Sequence, residues 1–202
     1  MTRSLSCPNC GGALTIESAF TTLIVCPFCG SSLFVHDTGV DITGKTAKLA
    51  EYPSRFSVGA SGKIKGRDFG VLGRVRYQYD QGFWDEWFVQ FADQKVGWVV
   101  EDEGDLTLVF KNKLTVPVPP FEQIRVGAFM QLADDRVFVS EKGRGQVQGA
   151  EGQVAMTFPS GHWVQFVLGN AANKALRLFI DADSIILQTG EPLEFNDVVM
   201  NK

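Results

Sequence analysis

Four cysteines occur in the 202 residues, as two matched pairs: Cys7 and Cys10 in CPNCGG, and Cys26 and Cys29 in CPFCGS, with fifteen residues between the pairs. This is the spacing of a four-thiolate zinc site. Each two-residue turn aims two sulfurs at one point, and zinc takes four such ligands in a tetrahedron. Pro8 and Pro27 fix the backbone after the first cysteine of each pair, and Gly11 and Gly30 allow the positive φ that wraps the chain around an ion. Four sulfurs saturate the metal, so the expected Zn2+ is structural; a hydrolytic site keeps one position for water. A redox role needs a Cys-x-x-Cys at a helix N-terminus beside a βαβ pattern, which this sequence lacks. His36, seven residues past Cys29, reads as a surface or packing histidine.

Other chemistry is thinner. Lys63, Lys65 and Arg67 alternate, as do Arg74 and Arg76, and two basic rows could meet phosphate. Asp80, Asp85, Glu86, Asp93, Glu101, Asp102, Glu103 and Asp105 follow closely, and cross-strand pairing is the preferred expectation. The run EDEGD lacks the register of a calcium loop and reads as a solvated turn. His162, in PSGHWV, has no nucleophile turn anywhere in the chain to serve, and GASGKIKG is not a phosphate-binding loop. No catalytic constellation emerges, and the chain is expected not to be an enzyme.

The elements that must carry these residues are strands. The sequence is 45% apolar and 21% charged, with a formal net charge of -4, enough to bury a core but giving no global attraction to polyphosphate. No secretory core opens it and no stretch approaches the roughly 18 apolar residues of a membrane span, so a soluble, cytoplasmic protein is expected. Between the cysteine pairs, Ala13–Ile16 and Thr22–Val25 suit a short hairpin. HDTGVDITGKTAKLAEYPSRFS reads as a connector. From Val58 onward, alternating or β-branched segments recur between turns: Gly70–Gln78, Trp84–Phe91, Val96–Val100, Leu106–Phe110, Arg136–Ser140, Trp163–Leu168, Leu176–Ile180 and Ile185–Gln188. VGASGKIKGRDFGVLGRVR and VGAFMQLADDRVFVSEKGRGQV share an opening and a following strand, a weak internal repeat. Pro117, Pro119 and Pro120 mark the joint between halves. The expected fold is mainly β: a zinc ribbon and connector over 1–44, then a two-lobed all-β domain, small barrel or sandwich, over 45–202, with lobes at about 56–115 and 121–195.

The stretch GVLGRVRYQYDQGFWDEWFVQFADQKVGWVVEDEGDLTLV, Gly70 to Val109, resembles the core of a bacterial family of unknown function, DUF4178, and Gly143 to Val167 resembles its second half. EGQVAMTF departs from the family pattern there. The resemblance covers most of residues 56–195, and some members also begin with a zinc ribbon. It implies a β-rich bacterial protein found in the company of membrane-stress genes, with no activity attached.

Alternation in FWDEWFVQF puts Phe83, Asp85, Trp87, Val89 and Phe91 on one face and Trp84, Glu86, Phe88 and Gln90 on the other. The second face could be a recognition surface or could be buried between the lobes. The reading is a non-enzymatic zinc-binding adaptor or protein-interaction module, with Trp84, Phe88, Arg74, Tyr77 and Tyr79 as the partner-binding set and a protein as partner, in an assembly tied to membrane stress by the resemblance. The alternative is a nucleic-acid binder using the ribbon and the basic strands.

Overall fold

The computed structural model describes residues 3–37, 39–45, 48–80, 82–132, 135–155 and 158–201. Thr46 and Ala47, in the expected connector, and Met156 and Thr157, in the stretch that departs from the family pattern, lie outside them. Apart from 3-10 turns at Phe121–Gln123 and Phe195–Asp197, every regular element among the described residues is a strand. No helix among them is long and apolar enough to cross a membrane.

The N-terminal unit has five strands: β1 (Arg3–Ser6), β2 (Ala13–Ile16), β3 (Leu23–Val25), β4 (Ser31–His36) and β5 (Gly39–Lys45). The two strands between the cysteine pairs form where expected but do not pair with each other. β2 pairs with β1 and β3 with β4, so each cysteine turn is itself the bend of a hairpin. Gly39–Lys45, read as connector, is a strand against β4. Leu14, Ile24 and Leu33 fill the small core beside Cys7 and Cys26.

The rest of the chain holds two five-strand meanders. The first comprises β6 (Ser61–Ile64), β7 (Arg67–Tyr79), β8 (Gly82–Phe91), β9 (Val96–Asp102) and β10 (Asp105–Asn112). The second comprises β11 (Phe129–Leu132), β12 (Asp135–Val154), β13 (Trp163–Ala171), β14 (Lys174–Ile180) and β15 (Ile185–Leu193), and a short β16 (Val198–Met200) returns to β6. β10 pairs with β15 and β7 with β12, both antiparallel, which closes the ring β7-β8-β9-β10-β15-β14-β13-β12. The architecture is a mainly β barrel with two lobes.

The repeat is written in the backbone hydrogen bonds. Gly59 N–H donates to Val71 O and Val71 N–H to Ala60 O; 68 residues on, Gly127 N–H donates to Val139 O and Val139 N–H to Ala128 O. Gly59 and Gly127 both take positive φ, which explains the shared Val-Gly-Ala. A bulge follows at the same point, between Val71 and Gly73 and between Val139 and Glu141. Equivalent residues meet across both seams, Gln78 against Gln146 and Phe110 against Thr189, as a pseudo-twofold axis through the barrel requires.

Each lobe keeps an outer core. Phe56, Ile64, Phe69, Val71, Trp87 and Val99 fill the first; their counterparts Ile124, Leu132, Val137, Val139, Val167 and Leu178 fill the second. Leu114, Val116 and Val118, from the proline-bearing joint, pack over the second. The central core inside the ring is shared, and includes Val75, Tyr77, Trp84, Phe88, Trp98, Val109, Phe166 and Phe179.

β12 overruns the seam, and its last residues dock the N-terminal unit. Gln153 and Val154 pair with Ile24 and Leu23, and Leu23 joins the central core. The Gln153 side chain donates to Thr15 O at 3.0 Å and accepts from Glu17 N–H at 2.9 Å. The ribbon is therefore a continuation of the barrel's strand order.

Candidate metal centre and barrel cavity

The two cysteine hairpins converge so that all four Sγ atoms lie within 4.8 Å of one another. Cys7 and Cys29 sulfurs are 3.8 Å apart, and Cys10 and Cys26 sulfurs 3.7 Å. A tetrahedron with zinc–sulfur bonds of about 2.3 Å has edges of about 3.8 Å, whereas a disulfide needs about 2.05 Å. The donor set fits a metal ion and not two bridges. Electrostatics agree. Ser31 Oγ, 3.3 Å from the Cys29 sulfur, and the Asn9 amide donating at 3.5 Å draw that thiol down to about 5. At Cys10 the Gly12 N–H favours the thiolate, but hydrogen bonding to Cys29, burial and the Cys26 and Cys7 sulfurs outweigh it and push the thiol up to about 12. A cation at the centre removes that conflict. His36 pairs with Asp41 at 3.1 Å, apart from the cluster. Among the described residues this is the one group of three or more potential ligands, so EDEGD forms none. It is a tight hairpin end with Glu103 and Gly104 at positive φ.

The partner-binding set needs correction. Trp84 is 3% exposed, Phe88 0% and Tyr77 5%. All three line the inside of the ring, where Tyr77 stacks on Trp84 at 4.9 Å. Arg74, also buried, lies on the opposite face, bonded to Asp85 at 3.2 Å and Glu151 at 2.8 Å. The physical reason is closure: β8 has β7 and β9 as neighbours, the central core on one face and the first outer core on the other. Neither face of FWDEWFVQF reaches solvent as a surface. Of the five, Tyr79 lines the large cavity at one end of the ring. Trp84 donates from Nε1 to Glu86 Oε1 at 3.1 Å. Trp84→Phe therefore removes a buried charge-assisted bond, and urea titration is expected to show a loss of about 1–3 kcal/mol.

The basic rows are spent on pairing. Lys63 meets Asp68 at 2.7 Å, Lys65 meets Glu191 at 2.7 Å, Arg67 meets Asp93 at 3.1 Å and Arg76 meets Asp85 at 2.7 Å. Little free positive charge remains there for a polyphosphate.

At one end of the ring a cavity of about 670 Å³ opens between the β7–β8 and β9–β10 turns and strands β12 to β14. Its floor is Arg177, 7% exposed. Arg177 Nη1 donates to Glu86 Oε1 at 2.8 Å and to Gln188 Oε1 at 3.4 Å, and the guanidinium lies over the Phe179 ring at 5.2 Å. Its walls carry Asp80, Asp102, Glu103, Asp105 and Glu141, with Arg144 exposed at the rim. Lys142 points elsewhere, donating to Phe121 O at 3.0 Å. Asp102 Oδ1 is buried without a hydrogen-bond partner.

Burial, then the charges of Glu103 and Glu141, raise the Asp102 carboxyl above its ordinary 3.8, with Arg177 offsetting part. A carboxyl raised on folding adds stability that is full below the ordinary value and is lost as pH rises through the folded one. Asp102→Asn stays neutral at every pH. It is expected to raise Tm at pH 7 by on the order of 1–3 °C, with the gain vanishing below the ordinary carboxyl value; differential scanning fluorimetry across pH checks both.

Sequence reasoning missed Arg177, its partner Glu86 and Asp102 as a site. One signal was present: ALRLFI puts an arginine on a strand otherwise apolar, and extending the repeat aligns it with Trp98.

The profile of the family described as a domain of unknown function, DUF4178, matches residues 57–191, which spans both lobes. No curated protein and no solved structure matches the chain.

Proposed function

Given that the chain belongs to the DUF4178 family, defined by sequence rather than by an activity, we propose that it is a non-enzymatic binding module that takes a small polar ligand in the barrel cavity and carries a structural zinc ion on its four cysteines.

One observation carries this reading. In the first lobe the cross-strand row through β7, β8, β9 and β10 is Gly73, Phe88, Trp98 and Val109. In the second lobe the same register holds Glu141, Leu168, Arg177 and Gln188. The apolar row closes its end of the barrel. The charged row leaves the other end open, although the fold has an apolar solution for that position. Buried charge costs stability unless it is fully paired, so it is kept where something uses it.

Zinc would be held by Cys7, Cys10, Cys26 and Cys29 and would supply folding energy to the ribbon, not a reactive water. The adaptor role, with its tie to membrane stress through the family resemblance, becomes that of a ligand-loaded module whose partner meets other faces than the Trp84–Phe88 strand. Pairing of the basic rows disfavours the nucleic-acid alternative.

The test is equilibrium dialysis against a small-molecule extract of host cells, read by mass spectrometry, with wild type and Ser140→Trp, which fills the cavity from an exposed wall position. A compound retained unchanged by wild type and lost in Ser140→Trp supports the reading. Equal retention by both, or none by either, ends it, and recovery of a converted product ends its non-enzymatic part.

A further inference from the structure

The chemistry facing the cavity is asymmetric, and the asymmetry specifies a ligand. Nη1 of Arg177 makes both of that side chain's protein hydrogen bonds, to Glu86 and Gln188. Its Nε–Nη2 edge has no protein acceptor among the described residues. That edge is the fork that matches a carboxylate with two parallel hydrogen bonds. Glu86 behind it neutralises the charge that would otherwise make the floor strongly cationic.

Toward the mouth the sign reverses. Asp102 presents a buried, unpartnered Oδ1. Glu103, Asp105 and Glu141 share the walls with it and form no ion pair among the described residues. These groups feel one another: Asp102, Glu103 and Glu141 all act on the Tyr79 hydroxyl, and Arg177 acts on Asp102.

A simple anion would have to pass five carboxylates, Asp80 included, offset at the rim by Arg144 alone, and a simple cation would leave the arginine fork unmet. Resting on the ligand-binding reading above, we propose that the cavity takes a small zwitterion, an amino acid or short peptide, with its carboxylate on the Nε–Nη2 edge of Arg177 and its ammonium group against Asp102 and Glu141. The volume of about 670 Å³ admits a molecule of that size. The half-buried Tyr79 ring and the buried Phe166 beside it offer an apolar wall for the rest of the molecule.

Isothermal titration of the zinc-loaded full chain tests this with the twenty L-amino acids and glycylglycine, followed by the carboxamide and the N-acetyl form of whichever binds. The expected result is at least one free zwitterion bound, with both capped forms at least tenfold weaker. Asp102→Asn should weaken the free form about tenfold and leave the N-acetyl form unaffected. Arg177→Lys keeps the charge beside Glu86 but removes the fork, so it should weaken the free form and spare the carboxamide, with circular dichroism confirming the fold. Equal binding of the carboxamide makes this a cation site and overturns the proposal, as does equal binding of the N-acetyl form. No binding by the panel overturns it too. Should the extract dialysis still yield a compound lost in Ser140→Trp, the binding reading survives and only the ligand class is wrong.

Discussion

Stripping zinc with a strong chelator, or replacing Cys26 with Ser, is expected to unfold the ribbon, residues 3–45, and leave the barrel standing. The ribbon's own core is three aliphatic side chains and two cysteines, Leu14, Ile24, Leu33, Cys7 and Cys26. So small a core cannot offset the chain entropy of some forty residues. Structural zinc contributes about 10–16 kcal/mol to the folding of zinc-finger peptides, which is ample. The barrel has three larger cores of its own. What the ribbon gives it is limited: two residues of strand pairing at Gln153 and Val154, the Thr22 N–H on Val154 O, the Leu23 and Val25 side chains, and the Gln153 hydrogen bonds. Hydrogen exchange read by mass spectrometry should show protection lost over 3–45 and over the last residues of β12, with β7 to β10 and β13 to β15 unchanged. Elemental analysis should find one zinc per wild-type chain and none in Cys26→Ser. Unchanged protection of the ribbon after metal removal would contradict this, and so would collapse of the whole chain.

Local chemistry was legible in the sequence where neighbours along the chain decide it. The cysteine spacing, with its Pro and Gly partners, placed four sulfurs that the fold brings together, and Ala13–Ile16 is a strand to the residue. Period-two segments marked β7 to β10 and β13 to β15. What stayed hidden is set by ring closure. Alternation in FWDEWFVQF separates two faces correctly, yet no local signal says that both are covered, because the covers arrive from β12 to β15 and from Phe56. Gly39–Lys45 reads as connector because its two glycines and Thr43 look like turn residues; pairing with β4 overrides them. The overrun of β12 that docks the ribbon has the same character, since Gln153 earns its place from Thr15 and Glu17, well over a hundred residues away. The charged row of the cavity was within reach: the shared Val-Gly-Ala carried the repeat, and following it through the later strands sets Arg177 beside Trp98.

Glu86→Leu is expected to cost about 3–5 kcal/mol, out of the roughly 5–15 kcal/mol by which such chains are stable. The carboxylate and the guanidinium are 3% and 8% exposed, 2.8 Å apart. Removing Glu86 strands the Arg177 charge inside the ring and leaves Trp84 Nε1–H without its acceptor. Arg177→Met should cost a similar amount by stranding the carboxylate. The double variant should be milder than either single, losing no more than about 1–2 kcal/mol, because the remaining debt is the Trp84 N–H and the Gln188 carbonyl. Urea unfolding of the four proteins gives a coupling energy of several kcal/mol if the pair acts as a unit; additive losses would show that it does not. The fold already contains the apolar alternative. The positions equivalent to Glu86 and Arg177 in the other lobe are Phe166 and Trp98, both buried in the same central core. Since the fold accepts apolar side chains at the equivalent positions, stability alone does not account for the ion pair. The double variant should accordingly fold and still fail to retain whatever compound the wild-type cavity takes from the extract. Folding with retention intact would return Arg177 and Glu86 to a purely structural role.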